Sequence, residues 1–490
     1  MSRPIISVGA RSLGALLPPL HLRPGPVYLA LADSITALVR DGRLAPETRL
    51  PSERELAGQL SLSRATVTAA YDQLRDRGLL ASRTGAGSFV VVPPADGYRS
   101  ALRRWAFPVA EPGEPLDLTC AAMPAPPGVL EAAFAAAGPQ LATLAGGTGY
   151  DPMGLAELRS AIANRFTRRG VATSPEQILV TSGALHAFDL LLRVLTGPGD
   201  RVLTELPSYP GALDAIRANG ARVVPVARPV HGGWDVAAMT AGLRQTSPRL
   251  AYLIPDYHNP TGDYIDVQQR RDVLRSARHA GTTVVVDESF VHLGLPPYGQ
   301  PDGPVAPDLA TAALDSSVVT IGSLSKPVWG GLRIGWVRAS TDLVRRLSAL
   351  RAATDMSGSI LDQLVGVALY DRLDEIVELR RAQLIPRRDA VIAALARELP
   401  GWHVPVPAGG LCTWVELDAP LGTPLTLLAA QLGLHLVAGS RFGVDGTLER
   451  FLRIPYALAP DQLDDAIGRL AVAWSQLDHS DRPAHQLVVA

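Results

Sequence analysis

The sequence predicts an α/β protein in three parts: a small helical module ending in a hairpin, a large domain on a mostly parallel sheet, and a smaller C-terminal α+β domain. Three observations predict it. Helical apolar spacing, two capping signals and a Gly-bearing turn between two short strand-like runs fill residues 25–92. From Leu118 to Arg351, helical patterns alternate with short β-branched runs, as strands buried on both faces require. From about Ala352 the helices lengthen, and only two strand-like runs follow.

The first helix runs over Tyr28–Asp41, with Leu29, Ile35, Leu38 and Val39 at helical spacing. Ser52 with Glu55 makes a capping box for a short helix ending near Leu60. Ser63 caps a third helix over Arg64–Arg77, which Gly78 stops. Leu79–Ser82 and Ser88–Val92 flank Thr84-Gly85-Ala86-Gly87 as a hairpin. Helix, helix-turn-helix and hairpin in this order form a winged helix-turn-helix pattern. Residues 93–117 are proline-rich, of mixed charge and without periodicity, and read as a linker. The large domain, 118–351, takes its strands from Gln177–Thr181, Arg201–Glu205, Arg222–Val226, Ala251–Pro255, Thr283–Asp287 and Ser317–Gly322. The small domain, 352–475, carries Leu411–Leu417 and Phe451–Pro455. Residues 1–24 are an N-terminal arm and 476–490 a tail.

The 490 residues carry 46 basic and 47 acidic side chains, a net charge of −1. The balance hides a basic module: Met1–Val92 holds eleven arginines against seven acids, an excess of four. Two cysteines, Cys120 and Cys412, supply neither a disulfide framework nor a Cys-rich zinc site, so no metal is expected. No apolar stretch reaches the roughly 18 residues of a membrane span and no signal peptide is visible, so a cytoplasmic protein is expected.

Among the 46 basic residues only Lys326 is a lysine. Where only charge matters, arginine has been used throughout. Arginine cannot replace lysine where a primary amine must form an imine, because its guanidinium stays protonated. Lys326 follows Ser323-Leu324-Ser325 and precedes Gly330-Gly331-Leu332-Arg333. Hydroxyls and a planar guanidinium beside an amine suit a phosphate-bearing aldehyde such as pyridoxal phosphate. Asp287 ends a buried strand, where a carboxylate points into the crevice of an open α/β sheet and can hold a pyridinium proton. Asn259-Pro260-Thr261-Gly262 is a turn after another strand. Thr181-Ser182-Gly183-Ala184 opens a helix whose first amides can bind an anion.

These motifs, in this order, resemble the fold-type I pyridoxal-phosphate enzymes of the aspartate-aminotransferase group over roughly residues 118–475. With Pro51-Ser52-Glu53-Arg54-Glu55-Leu56-Ala57 and Ser63-Arg64-Ala65-Thr66-Val67 in front, the chain resembles the MocR subfamily of GntR-type bacterial transcriptional regulators. The resemblance implies that Lys326 forms the internal aldimine, Asp287 pairs with the pyridine nitrogen, Asn259 bonds the ring hydroxyl and Tyr209 stacks on the ring. It gives the phosphate to Gly183, Ala184, Ser323, Ser325 and Arg333, and implies a homodimer in which Tyr150 reaches the partner's phosphate. It gives Arg453 a carboxylate of a small amine or amino-acid effector. Arg54, Ser63, Arg64 and Thr66, with Arg83 and Gly85 of the wing, are the expected contacts to a double-stranded DNA operator.

Two departures stand out. The run Asp287-Glu288-Ser289-Phe290 lacks the phenol that the family places just after the aspartate. Leu185-His186 replace polar residues of the phosphate loop. The expected function is a regulator sensing an amino compound by aldimine exchange at Lys326, with little or no multiple turnover. A working aminotransferase with an accessory DNA-binding domain, and a sensor of pyridoxal phosphate itself, share the same residues.

Overall fold

The computed structural model describes residues 7–83, 86–91 and 115–477, less 18, 19, 21–25, 41, 42, 45, 230, 231, 307–309, 316, 445 and 446. Gly85, the tail beyond 477 and nearly all of the linker lie outside the described residues.

The N-terminal module holds α1 (Ala10–Leu16), α2 (Val27–Arg40), α3 (Glu53–Leu60), α4 (Arg64–Asp76) and the antiparallel hairpin β1 (Leu80–Arg83) and β2 (Gly87–Val90). Both capping signals act as read. The Ser52 hydroxyl accepts the Glu55 amide and the Glu55 carboxylate accepts the Ser52 amide; Ser63 accepts the Thr66 amide. Leu31, Ile35, Leu38, Leu56, Val67, Tyr71 and Leu74 close its core, and the Tyr71 hydroxyl donates to Pro51 O at 2.8 Å.

β3 (Leu116–Asp117) follows, then α5 (Val129–Leu144), α6 (Ala156–Arg168), β4 (Ile178–Thr181), α7 (Ala184–Leu195), β5 (Arg201–Leu206), α8 (Pro210–Ala218), β6 (Arg222–Ala227), α9 (Val236–Thr246), β7 (Leu250–Leu253), α10 (Val267–His279), β8 (Thr283–Asp287), β9 (Val319–Ser323) and β10 (Gly335–Arg338). The central sheet runs β4-β10-β9-β8-β7-β5-β6. It is parallel except for β10, which is antiparallel to β4 and β9. Two apolar clusters flank it, one under each layer of helices. β10 escapes the sequence pattern because its four residues follow a Gly-rich turn and look like part of it. The expected strand Ser317–Gly322 is shifted to Val319–Ser323, which brings Ser323 to the strand end.

The remaining elements are α11 (Thr341–Arg351), α12 (Ile360–Asp371), α13 (Leu373–Glu398), β11 (Cys412–Glu416), α14 (Gly422–Gln431), β12 (Leu434–His435), β13 (Val437–Ala438), β14 (Phe451–Pro455) and α15 (Pro460–Ser475). β11, β14 and β13 form an antiparallel sheet, while β12 pairs in parallel with β3. The cores divide the chain differently from a boundary at 351/352. Leu364, Val365, Leu369, Ile376 and Val377 pack in the large core, whereas Leu118, Ala121 and Met123 join Leu384, Val391 and Leu395 in the small one. Helix α13 therefore enters both cores, and the chain crosses into the small lobe before building the large one.

Candidate functional site

Parallel strands put their C-terminal ends on one edge of the sheet, where the crevice of an α/β fold lies. Asp287 at the end of β8 and the turn after β9 that carries Lys326 both fall there. The Lys326 amine donates to Ala121 O at 2.9 Å and lies 5.6 Å from the centre of the Phe290 ring. Burial draws this amine below the usual lysine range; the charges of Cys120, Arg453, Cys412 and Asp287 are also felt there. Asp287 is buried, and its two oxygens accept the Tyr252 hydroxyl at 2.7 Å and the Ser289 amide at 2.8 Å. Burial first, and Asp287 second, push the Tyr252 phenol well above its ordinary range, so it stays a donor.

Tyr209 caps α8 and is half-buried; burial, then Asp287, pushes its phenol up to about 12. A Cβ on Gly211 would lie 2.7 Å from the Tyr209 ring, so glycine there leaves room for it. Asn259 is buried and its Oδ1 has no hydrogen-bond partner.

Of the residues expected at a phosphate, Gly183 and Arg333 lie side by side. Gly183 precedes α7 with φ +113, and a Cβ there would stand 2.9 Å from Arg333 Nη2. A Cβ on Gly335 would fall 2.4 Å from the Gly183 carbonyl carbon, so Gly335 is required by close backbone approach and Gly183 by its positive φ. Arg333 donates to Ser182 O at 2.5 Å. Ser323 donates to Ile334 O and accepts the Ser325 amide at 3.0 Å, which shapes the turn presenting Lys326. Ala184 opens α7, whose first amides have no acceptor within the helix. His186 accepts the Ser182 amide at 3.0 Å; burial lowers its pKa against the pull of Asp355. Tyr150 stands apart and is 64% exposed.

Arg453 on β14 is buried, donates to Thr119 O and lies over the Phe442 ring at 4.9 Å, while its Nε has no hydrogen-bond partner. Thr119, Ala121, Tyr252 and Phe442 were missed in the sequence. Two act through backbone carbonyls, which carry no side-chain signature, and Tyr252 reads as an ordinary strand aromatic. Arg380 was missed too. It is buried on α13 and donates to Pro327 O, Val328 O and Pro124 O, joining the Lys326 turn to the segment before α5.

In the N-terminal module, Arg54 and Arg64 are exposed at the starts of α3 and α4, with Arg64 3.7 Å from Glu53. Ser63 and Thr66 serve each other, their hydroxyls 2.8 Å apart. Arg83 pairs with Glu47 at 2.5 Å and covers the Phe89 ring. Among the described residues no helix is long and apolar enough to cross a membrane.

A winged helix-turn-helix ahead of a two-lobed α/β domain, with one amine at the strand ends, defines a regulator class built on an aminotransferase scaffold. The model of the aminotransferase class I and II family matches residues 127–470, and that of the bacterial regulatory proteins of the gntR family matches 27–90. The uncharacterized HTH-type transcriptional regulator YisV of Bacillus subtilis is 28% identical over 89% of this chain and 93% of its own. The 2-aminoadipate transaminase of Thermus thermophilus is 31% identical over 67% of this chain and 82% of its own. The solved α-aminoadipate aminotransferase LysN of that organism superposes with a TM-score of 0.66 at 29% identity, covering 74% of this chain and 92% of LysN. The chain belongs to the GntR/MocR-type regulators, which fuse a winged helix-turn-helix to a fold-type I aminotransferase-like domain.

Proposed function

We propose that this regulator binds pyridoxal phosphate at Lys326, senses a small amine or amino acid there, and passes the signal to an operator-bound DNA module. The observation that carries the reading is the lone lysine, its amine buried 5.6 Å from the Phe290 ring and felt by the charges of Arg453 and Asp287. The residues fit the cofactor. Gly183 and Gly335 let the backbone and Arg333 close up at the start of α7, whose first amides would be available to a phosphate. Asn259 keeps an unpartnered buried amide oxygen, and a flipped side chain would offer its NH2 to a ring oxygen. Asp287, fixed by Tyr252 and Ser289, offers a carboxylate to a ring nitrogen, and Tyr209 offers a face for stacking. Ser323 and Ser325 shape the turn that presents the lysine, and their hydroxyls would be available to the phosphate.

When bound, pyridoxal phosphate supplies an electrophilic carbon and an electron sink. The chain's own part is to deliver a neutral amine at Lys326, to hold the ring and to receive the effector's carboxylate on Arg453. With pyridoxal phosphate bound, Lys326 is the group that an effector's amine would compete with. Tyr150 is exposed, as are Phe134 and Leu144 of α5, which supports a homodimer in which Tyr150 reaches the partner's phosphate. In the DNA module Arg54, Arg64 and Arg83 supply phosphate or base contacts, with Ser63 and Thr66 setting the start of α4. Such a regulator works in the cytoplasm.

Borohydride reduction and peptide mapping of the loaded protein test the site. The adduct is expected on Lys326, and a Lys326→Ala protein that keeps the cofactor's visible absorption overturns the assignment. The likeness to 2-aminoadipate transaminase favours a second reading, an active aminotransferase. Multiple turnovers with 2-aminoadipate and a keto acid would establish it; a visible spectral response without turnover supports the sensor.

A further inference from the structure

The two cations that recognise the ligand are both engaged by one short segment of the same chain. Arg453 donates to Thr119 O and Lys326 donates to Ala121 O, two residues apart. A carboxylate is the stronger acceptor for Arg453, and capture of the Lys326 amine ends its bond to Ala121. We propose that Thr119–Ala121 is a strap standing in for the site's occupants: pyridoxal phosphate takes Lys326 from Ala121, the carboxylate of an amino compound takes Arg453 from Thr119, and the strap's release moves the root of the linker to the DNA module. This rests on the roles proposed for Lys326 and Arg453.

The connections on either side of the strap give the displacement a direction. Downstream, Arg380 holds Pro124 O to the Lys326 turn, so that end is fixed. Upstream, the Asp117 carboxylate accepts both the Thr119 amide at 2.7 Å and the Thr119 hydroxyl at 2.6 Å, a rigid turn joining the strap to β3. β3 is a two-residue strand paired with β12, with Leu116 N to Gly433 O and Leu118 N to His435 O each 2.9 Å. It lies at the C-terminal end of the linker read as 93–117. Movement of Thr119 therefore passes to Asp117 and then to the bonds between β3 and β12.

The two native cysteines make the test direct. Cys120 lies exposed in the strap, while Cys412 is buried and reports whether the fold survives. Full-length protein free of pyridoxal phosphate would be followed by amide hydrogen exchange over 116–121 and by maleimide labelling of Cys120. Arg453→Met and Lys326→Met each remove one donor. Each is expected to speed exchange of the Leu116 and Leu118 amides by about tenfold and to change the Cys120 labelling rate, with Cys412 still protected. Where one variant exposes Cys412, the other decides. Wild type loaded with pyridoxal phosphate should show the same response in part. Exchange and labelling unchanged in the variants that keep Cys412 protected would overturn the strap. Responsive variants in a protein that gains no visible band with pyridoxal phosphate would leave the strap standing and remove the cofactor reading instead.

Discussion

Glu205→Ala should be among the costliest single substitutions in the large lobe. Glu205 lies near the end of β5 and is completely buried. It accepts Arg228 Nη1 at 2.5 Å, Trp234 Nε1 at 2.6 Å and the Ile254 amide at 2.7 Å. Arg228 also reaches Asp263 at 2.8 Å, and Asp263 accepts the Thr261 hydroxyl at 2.9 Å. The network thus ties β5 to the turn carrying Asn259. Removing one partner of a buried pair costs about 3–5 kcal/mol; Asp263 stays with Arg228, so the low end applies. Stranding the Trp234 and Ile254 donors adds about 1–3 kcal/mol each, less what water entering the vacated space returns. Contacts that share a centre do not add, so the whole comes to about 4–6 kcal/mol. At an m-value near 2.5 kcal/mol/M this is a fall of roughly 2 M in the urea midpoint of the large lobe. Asp465→Ala, which removes an exposed pair with Arg469, is the control and should cost less than about 1 kcal/mol. A Glu205→Ala midpoint no lower than the control's would refute the reasoning. Retention of pyridoxal phosphate should weaken in step, because Asn259 loses its support.

Phe290→Tyr adds a donor beside the ring oxygen and should lower the pH midpoint of the visible cofactor band by about 1–2 units; an unmoved midpoint removes Phe290 from the cofactor's edge. Because burial depresses the Lys326 pKa, its neutral amine should accumulate at lower pH than in an ordinary lysine. Stopped-flow capture of pyridoxal phosphate should rise with pH and reach half its plateau below 10.5. Arg64→Ala should flatten the salt dependence of binding to a duplex from the flanking intergenic region by about 0.9 in log–log slope; wild-type affinity and slope would put α4 away from the DNA. Ser63→Ala should destabilise the DNA module by about 1 kcal/mol in thermal unfolding, through the lost cap of α4.

Much of this was legible in the sequence because it lies in side chains whose chemistry has no substitute. A lone lysine, an aspartate closing a β-branched run and two capping boxes or caps each announce their position. Asp287, Ser52 and Ser63 sit where the pattern put them. What was illegible depends on contacts between distant parts of the chain. Tyr252 serves Asp287 across neighbouring strands 35 residues apart in sequence, and the Thr119 and Ala121 carbonyls reach partners hundreds of residues away. Strand β10 hid for a different reason: Gly335 is set by close approach to Gly183, not by strand propensity. The lobe boundary was obscured because a long helix keeps one period while its burial passes from one core to another.

That shared helix governs how the molecule can be taken apart. Helix α13 contributes Ile376 and Val377 to one core and Leu384 to Leu395 to the other, while Leu118 to Met123 belong to the lobe encoded last. The two lobes are interleaved in sequence, so no single cut between them leaves both closed. A fragment ending at Arg351 would bare the apolar surface that α12 covers, and one beginning at Ala352 would lack Leu118 and its neighbours. Only a cut ahead of residue 115 leaves every core whole. Swapping sensor halves between relatives should therefore succeed at that junction and fail at any seam placed between the lobes.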